Sequence, residues 1–217
     1  LEPLALSAAA PDLVALERLL DGSASYLPVP AGDDAETRRL SMSLGAGEPI
    51  DASTALVIAT SGTTGNPKGA MHSPTSVKAS IDATHRHLGG PGGWLLALPA
   101  HHIAGLQVLL RSVRAGFEPV TLDVSDGFDP ATLVTAVKRM RAPRRYTSLV
   151  PTQLVKVLSD PSAIAALRDL DAVLVGAAAT PLPLRERATD AGIPIVRTYG
   201  MSETCGGCVY DGQPLPG

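Results

Sequence analysis

Aromatic residues are nearly missing from this chain: one Trp, four Tyr and two Phe among 217 residues. A core must therefore be assembled from Ala, Val, Leu and Ile, many small side chains in place of a few large anchors. Cysteine is equally scarce. Cys205 and Cys208 form a single C-G-G-C. With no second pair and no matching histidine cluster, the spacing favours two free thiols in a cytosolic protein over a metal site or a redox dithiol. No apolar run approaches the ~18 residues that span a bilayer, which argues against membrane insertion. Glu2, Asp12 and Glu17 interrupt the first twenty residues. A secretory signal has a basic start and an unbroken apolar stretch, so a cytoplasmic protein is expected. Basic excess is lacking too, with 18 Lys and Arg against 21 Asp and Glu. That balance, together with an absence of basic runs, argues against nucleic acid or an anionic membrane as partner. The chain is nevertheless 45% hydrophobic and 18% charged, which excludes disorder.

What is present is an alternation. Thr54 to Thr60 (T-A-L-V-I-A-T) reads as a buried strand ended by a Gly-rich turn, and Thr75 to Leu88 as a helix between Pro74 and Gly89-Gly90. Strands follow at Trp94 to Leu98, Phe117 to Leu122, Tyr146 to Val150, Ala172 to Val175 and Pro194 to Thr198. Helices fall between them at His102 to Ala115, from Asp129 to about Arg141, at Pro151 to Leu158 and at Leu182 to Ala191. With hardly any hairpin signals, this order predicts an α/β fold: a mostly parallel sheet with helices on both faces. Residues 1–50 hold one helical stretch, Leu13 to Leu20, and then a Pro- and Gly-rich passage from Pro28 to Pro49. They read as a reduced peripheral region before an α/β domain over 51–217.

Ligands of such sheets sit beyond the carboxyl ends of the strands. Four segments rich in Gly or small polar residues fall at that edge: Thr60 to Gly69, Pro99 to Gly105, Gly176 to Ala179 and Tyr199 to Thr204. The first reads T-S-G-T-T-G-N-P-K-G, with Thr60, Ser61, Thr63 and Thr64 hydroxyls, Gly62 and Gly65, and Lys68. Glycine lets backbone N–H groups approach a ligand, and such nests with hydroxyls and a lysine suit a triphosphate. Pro67 and Gly69 flank the lysine, so it is not a Walker loop. A flexible Gly/Ser/Thr surface loop is the plain alternative.

This loop resembles the phosphate-binding signature of the acyl-adenylate-forming superfamily. Two further signatures follow in order: Pro99 to Gly105 (P-A-H-H-I-A-G) and Tyr199 to Thr204 (Y-G-M-S-E-T). The finer resemblance is to the o-succinylbenzoate–CoA ligases, through His102 to Gly116, Ser148 to Leu154 and Gly206 to Leu215. It implies ATP-dependent activation of a carboxylate and transfer of the acyl group to coenzyme A in menaquinone biosynthesis. ATP, Mg²⁺, coenzyme A and o-succinylbenzoate are the implied ligands. Family members often dimerise, so a homodimer is carried as an expectation with no interface assigned.

The resemblance assigns the nucleotide to Thr60, Ser61, Gly62, Thr63, Thr64, Gly65 and Lys68, with Gly176, Ala177 and Ala178 lining the adenine. Tyr199 lies against the ring, followed by Gly200 and Met201, and Ser202 meets the α-phosphate. Glu203 becomes the Mg²⁺ ligand, and His102 sits near the acyl carboxylate and the phosphoryl group. His102, Lys68 and Glu203 form the implied catalytic set, and Arg111, Ser148, Gly206 and Gly207 join His102 in the substrate pocket. The plain alternatives are a surface lysine for Lys68, a helix-start acid for Glu203, a core tyrosine for Tyr199 and a capping histidine for His102. Arg111 has its own chemistry. An arginine inside the apolar stretch Leu106 to Val113 is costly unless it meets an anion, and guanidinium suits the second carboxylate of o-succinylbenzoate; snorkelling to solvent or pairing with a structural acid is the plain alternative. A helix beginning at His102 would turn the two residues to opposite sides.

The resemblance also implies a ribose-binding aspartate, a hinge and a small lysine-bearing C-terminal domain after the Tyr199 motif. None falls within the chain, so it is expected to be a large domain truncated before that lid, with impaired turnover. Another aryl or fatty acyl-CoA ligase, or a non-catalytic ATP- or acyl-adenylate-binding module, are the competing readings.

Overall fold

The computed structural model describes residues 1–7, 11–60 and 67–216. Its strands form two sheets. The first runs β1 (Glu2–Leu6), β2 (Tyr26–Pro30), β3 (Leu56–Thr60) and β4 (Lys68–His72), with only β4 antiparallel to its neighbour. The second has the order β11-β10-β9-β8-β7-β5-β6. Here β5 (Gly93–Leu96), β6 (Val120–Thr121), β7 (Arg145–Leu149), β8 (Ala172–Val175) and β9 (Ile195–Met201) are parallel. A short 3₁₀ turn at Ser202–Thr204 then reverses the chain into β10 (Gly206–Tyr210) and β11 (Gln213–Pro214), which are antiparallel.

Period-two alternation along the strands sorts the side chains into layers. Trp94, Leu96 and Leu174 point into a central core, while Leu95, Ala97, Val173 and Val175 point into a second core beneath α5 (Pro130–Arg139), α6 (Pro151–Val157), α7 (Pro161–Arg168) and α8 (Leu182–Asp190). In β3, Leu56 and Ile58 join the central core, and Val57 faces Leu40 of α2 (Asp34–Leu44). The central core is filled by α1 (Leu13–Asp21), α3 (Pro74–His87) and α4 (Ile103–Arg114), one helical layer shared by both sheets. Caps begin the helices: Asp12, Asp33, Ser73, Asp129 and Asp160 each accept a backbone N–H one turn ahead.

The α/β class and mostly parallel pairing stand as expected, with several corrections. Residues 1–50, expected at the periphery, supply half of the first sheet, and Leu4, Leu6, Leu16 and Leu19 enter the central core. The passage from Pro28 to Pro49, expected as loop, contains β2 and α2. Proline explains the first miss. Tyr26 donates its N–H to Ala55 of the β3 side, and Pro28 and Pro30 face the same way without an N–H to give. The β2–β3 pairing accordingly stops after Tyr26↔Leu56. In α2 only Leu40 is buried, too little for a periodic signal. Three hairpins went unsignalled, β3–β4, β9–β10 and β10–β11. A basic run also exists: Lys138, Arg139, Arg141, Arg144 and Arg145 lie within eight residues. Arg144 pairs with Asp171, and the Arg145 guanidinium donates to the Asp169 carbonyl. Among the described residues no helix is long and apolar enough to cross a membrane.

Two predictions follow from packing. A Cβ on Gly200 would sit 2.0 Å from the Gly206 carbonyl oxygen, and β10 cannot retreat without breaking its pairing with β9. Gly200→Ala is expected to destabilise the fold by about 1–3 kcal/mol, read as a lowered thermal midpoint. His85, 6% exposed on α3, has its pKa lowered to about 4 by burial and then by the Arg111 charge. The unfolded chain binds that proton more readily, so stability is full above the ordinary histidine value near 6.5 and falls as pH drops towards 4. The loss at this site is bounded by about 3 kcal/mol. Urea midpoints measured from pH 7 to 4 should fall, and His85→Leu should flatten the slope.

Candidate functional site

The carboxyl ends of the second sheet open onto three adjoining cavities. The first, of about 100 Å³, lies under Leu98, Val150, Gly176 and Gly200, with Gln107 and Arg111 of α4 as its far wall. Ser148, Gly206, Gly207 and Tyr210 also line it. The second, of about 460 Å³, holds Thr60, Pro67, His101, His102 and Ser202. The third, of about 580 Å³, runs along Ala178, Thr198 and Tyr199. Ala177 borders all three. Its φ of 64° is left-handed backbone that alanine adopts only at a cost of roughly 1–2 kcal/mol.

Glycine sets the shape of the first cavity. A Cβ on Gly176 would lie 2.2 Å from the Thr198 hydroxyl, and one on Gly207 would lie 2.7 Å from the Tyr210 ring. Only hydrogen at these positions lets β8, β9 and β10 converge around the opening.

Arg111 is 3% exposed and meets no carboxylate among the described residues. Its guanidinium lies 5.0 Å above the Trp94 ring, and Nη2 donates to Tyr210 Oη at 3.3 Å. That oxygen shares a 3.0 Å hydrogen bond with Thr84 Oγ1, and Arg111 Nε has no partner among the described residues. A buried cation with an orphaned donor beside a cavity is suited to an anion. Gln107 Nε2 donates to the Cys205 carbonyl at 2.7 Å, leaving Oε1 without a partner.

His102 is the N-cap residue of α4 and stands ahead of the helix. It and Arg111 therefore do not oppose each other across one cavity, because each lines one of two neighbouring cavities that share Ile103 and Ala104. Burial lowers the His102 pKa, and burial followed by the His102 charge takes His101 to about 4. At neutral pH both rings are uncharged. Burial likewise pushes the Cys205 thiol up to about 11. Cys205 and Cys208 are both free thiols, as expected.

The structure thus brings Gly176, Ala177, Gly200, Met201, Arg111, Ser148, Gly206 and Gly207 onto one cavity, and Thr60, His102 and Ser202 onto the next. Ala178 and Tyr199, the latter 63% exposed, border the third. Lys68 is exposed at the start of β4, opposite Thr60 in the antiparallel register. Ser61, Gly62, Thr63, Thr64 and Gly65 lie outside the described residues. Glu203 is exposed in the 3₁₀ turn, and no ion pair among the described residues engages it. No group of three or more His, Cys, Asp or Glu among the described residues could hold a metal unaided. A lone free carboxylate fits Mg²⁺ carried in on phosphate oxygens, which usually takes one or two protein carboxylates. Sequence reasoning missed Gln107, Thr198 and Tyr210, and also Glu36 and Arg39 of α2, which border the His102 cavity.

Known proteins resemble this chain in sequence and in fold. A probable 2-succinylbenzoate–CoA ligase of Mycobacterium tuberculosis is 56% identical over 212 residues, covering 97% of this chain and 54% of its own length. The chain thus spans about half the length of that relative. The o-succinylbenzoate CoA synthetase MenE from Bacillus subtilis in complex with the acyl-adenylate intermediate OSB-AMP superposes with a TM-score of 0.66. It is 26% identical and covers 97% of this chain and 47% of that one. The same synthetase in complex with ATP and magnesium ion gives a TM-score of 0.63 at 27% identity, covering 94% and 44%. The family model for AMP-binding enzymes matches residues 6–217, and this chain belongs to that family.

Proposed function

We propose that this chain forms the ATP- and acid-binding part of an o-succinylbenzoate–CoA ligase of menaquinone biosynthesis, acting in the cytoplasm where its co-substrates ATP and coenzyme A are found. The observation that carries the substrate is Arg111, a buried cation with no carboxylate partner among the described residues, on the wall of the first cavity. Of the two carboxylates of o-succinylbenzoate, the ring carboxylate meets Arg111 Nε and the succinyl carboxylate reaches towards His102. A long fatty acid has no second anion for this guanidinium.

In the first reaction an oxygen of the succinyl carboxylate attacks the α-phosphorus of ATP. The bond to the bridging oxygen breaks and pyrophosphate leaves. In the second, the coenzyme A thiol attacks the acyl carbon and AMP departs. Two anions must approach in the first step, so donors aimed at the phosphoryl oxygens supply much of the stabilisation. His102 contributes as a neutral N–H donor, since its lowered pKa keeps the ring uncharged at pH 7. Ser202 redirects its one hydroxyl proton from the Ala59 carbonyl to the α-phosphate, Lys68 adds charge beside the phosphate loop, and Tyr199 with Ala178 walls the adenine. Mg²⁺ bound to Glu203 would neutralise phosphate charge.

The test is calorimetric. Two non-hydrolysable acyl-adenylate mimics are titrated, one carrying the o-succinylbenzoyl group and one lacking only its ring carboxylate. The full mimic is expected to bind tighter by about 1.5–3 kcal/mol, the range for a charged hydrogen bond, and Arg111→Ala should erase that difference. Equal binding of the two mimics by the unmodified chain would remove the substrate assignment. Trp94, the sole tryptophan, offers a second readout because Arg111 Cζ lies 5.0 Å above its ring. Its emission should shift on binding the full mimic and stay unchanged with the mimic that lacks the ring carboxylate.

A further inference from the structure

The two halves of the nucleotide site sit on different sheets. The phosphate loop joins β3 to β4 of the first sheet, while Ser202 and Glu203 lie in the turn between β9 and β10 of the second. Two side-chain hydrogen bonds tie that turn to the first sheet. Ser202 Oγ donates to the Ala59 carbonyl at 3.3 Å, and His72 Nε2 lies 2.7 Å from the Ser202 carbonyl oxygen. A carbonyl oxygen has no proton to give, so Nε2 must carry the hydrogen. The short His72 bond is the stronger of the two by distance.

His72 is well placed for this task. It is 7% exposed, in register with Leu56 at the end of the hairpin, and its carbonyl accepts the Ala55 N–H at 2.9 Å. The ring therefore stands on a strand fixed on its own sheet. The turn it grips is tightly wound. Thr204 Oγ1 accepts the Met201 N–H and donates to the Gly206 carbonyl, Cys205 adopts left-handed backbone at φ 56°, and its N–H returns to the Ser202 carbonyl. A turn this constrained moves as a unit, so holding Ser202 also holds Glu203.

We propose that His72 is a positioning residue that fixes the turn carrying Ser202 and Glu203 against the first sheet, on the hairpin that bears Thr60 and Lys68. It touches neither nucleotide nor metal and acts through the Ser202 backbone. This inference rests on the nucleotide reading of the site and adds to it a specific cross-sheet latch.

Calorimetric titration of the chain with ATP, with and without Mg²⁺, tests the latch. His72→Phe removes the donor and is expected to weaken Mg²⁺-ATP roughly tenfold, the worth of one good hydrogen bond, while Mg²⁺-free ATP, which keeps the Ser202 contact but has no metal for Glu203, weakens by a smaller factor. His72→Gln places an amide N–H at comparable reach and should stay within about twofold of the unmodified chain. His72→Asn is shorter, folds without an added aromatic, and should behave as His72→Phe does. Hydrogen exchange provides a readout apart from binding: Met201 to Cys205 should exchange faster in the Phe and Asn variants and remain protected in the Gln variant. The latch is overturned if His72→Phe and His72→Asn bind Mg²⁺-ATP as tightly as the unmodified chain. It is also overturned if the Gln variant loses as much as they do, or if Mg²⁺-free ATP weakens by the same factor. An unmodified chain that binds no Mg²⁺-ATP overturns the nucleotide reading, and the latch with it.

Discussion

Burying the Arg111 guanidinium with no carboxylate partner among the described residues carries a desolvation penalty of several kcal/mol, and the middle of the molecule is arranged around that charge. Trp94 offers the face of its ring, Tyr210 accepts one N–H, and Thr84 steadies the Tyr210 hydroxyl from α3. The same charge helps keep His85 neutral. A chain so poor in aromatic residues concentrates them here, with Trp94, Tyr146 and Tyr210 all fully buried and Trp94 and Tyr146 5.0 Å apart. Elsewhere small aliphatic side chains suffice, because two sheets and a shared helical layer bury them from every side.

The shared layer also explains why the site is composite. The phosphate hairpin hangs from the first sheet and the acyl cavity opens from the second. Their relation depends on the packing of α1, α3 and α4 and on a few polar ties across the seam. Ser80 and Gln107, from α3 and α4, both donate to the Cys205 carbonyl. These contacts fix the reversal after β9 from the helical side, as His72 does from the sheet side.

Much of this was legible in the sequence where burial was two-sided and local. β3, β5 and β8 are short apolar runs because both faces are covered, and Gly89-Gly90 and Gly116 ended their helices as expected. Arg111 stood out because a cation inside an apolar helix face demands a partner. The misses share a different cause. β1 and β2 are read as strands only once β3 is placed beside them, α2 is almost wholly solvated, and the antiparallel turns hide in glycine. Tyr210 and His72 look ordinary in isolation, since each meets its partner only after 99 and 130 residues of intervening chain. Contacts of that range have no local signature.

The order of strands in the two sheets has a kinetic side. Every strand of the first sheet lies within residues 2–72, and its neighbours in space are neighbours in sequence. The second sheet is built differently. β5 cannot pair with β7 until Arg145 has followed it, and β9 closes the parallel ladder some fifty residues later. Loop closure over such spans is slow compared with pairing adjacent strands. During synthesis the first sheet can therefore gather its hydrogen bonds while one of its faces still waits for α4. That face, with Leu56 and Ile58 upon it, is the surface most exposed to unwanted association before the rest of the chain arrives.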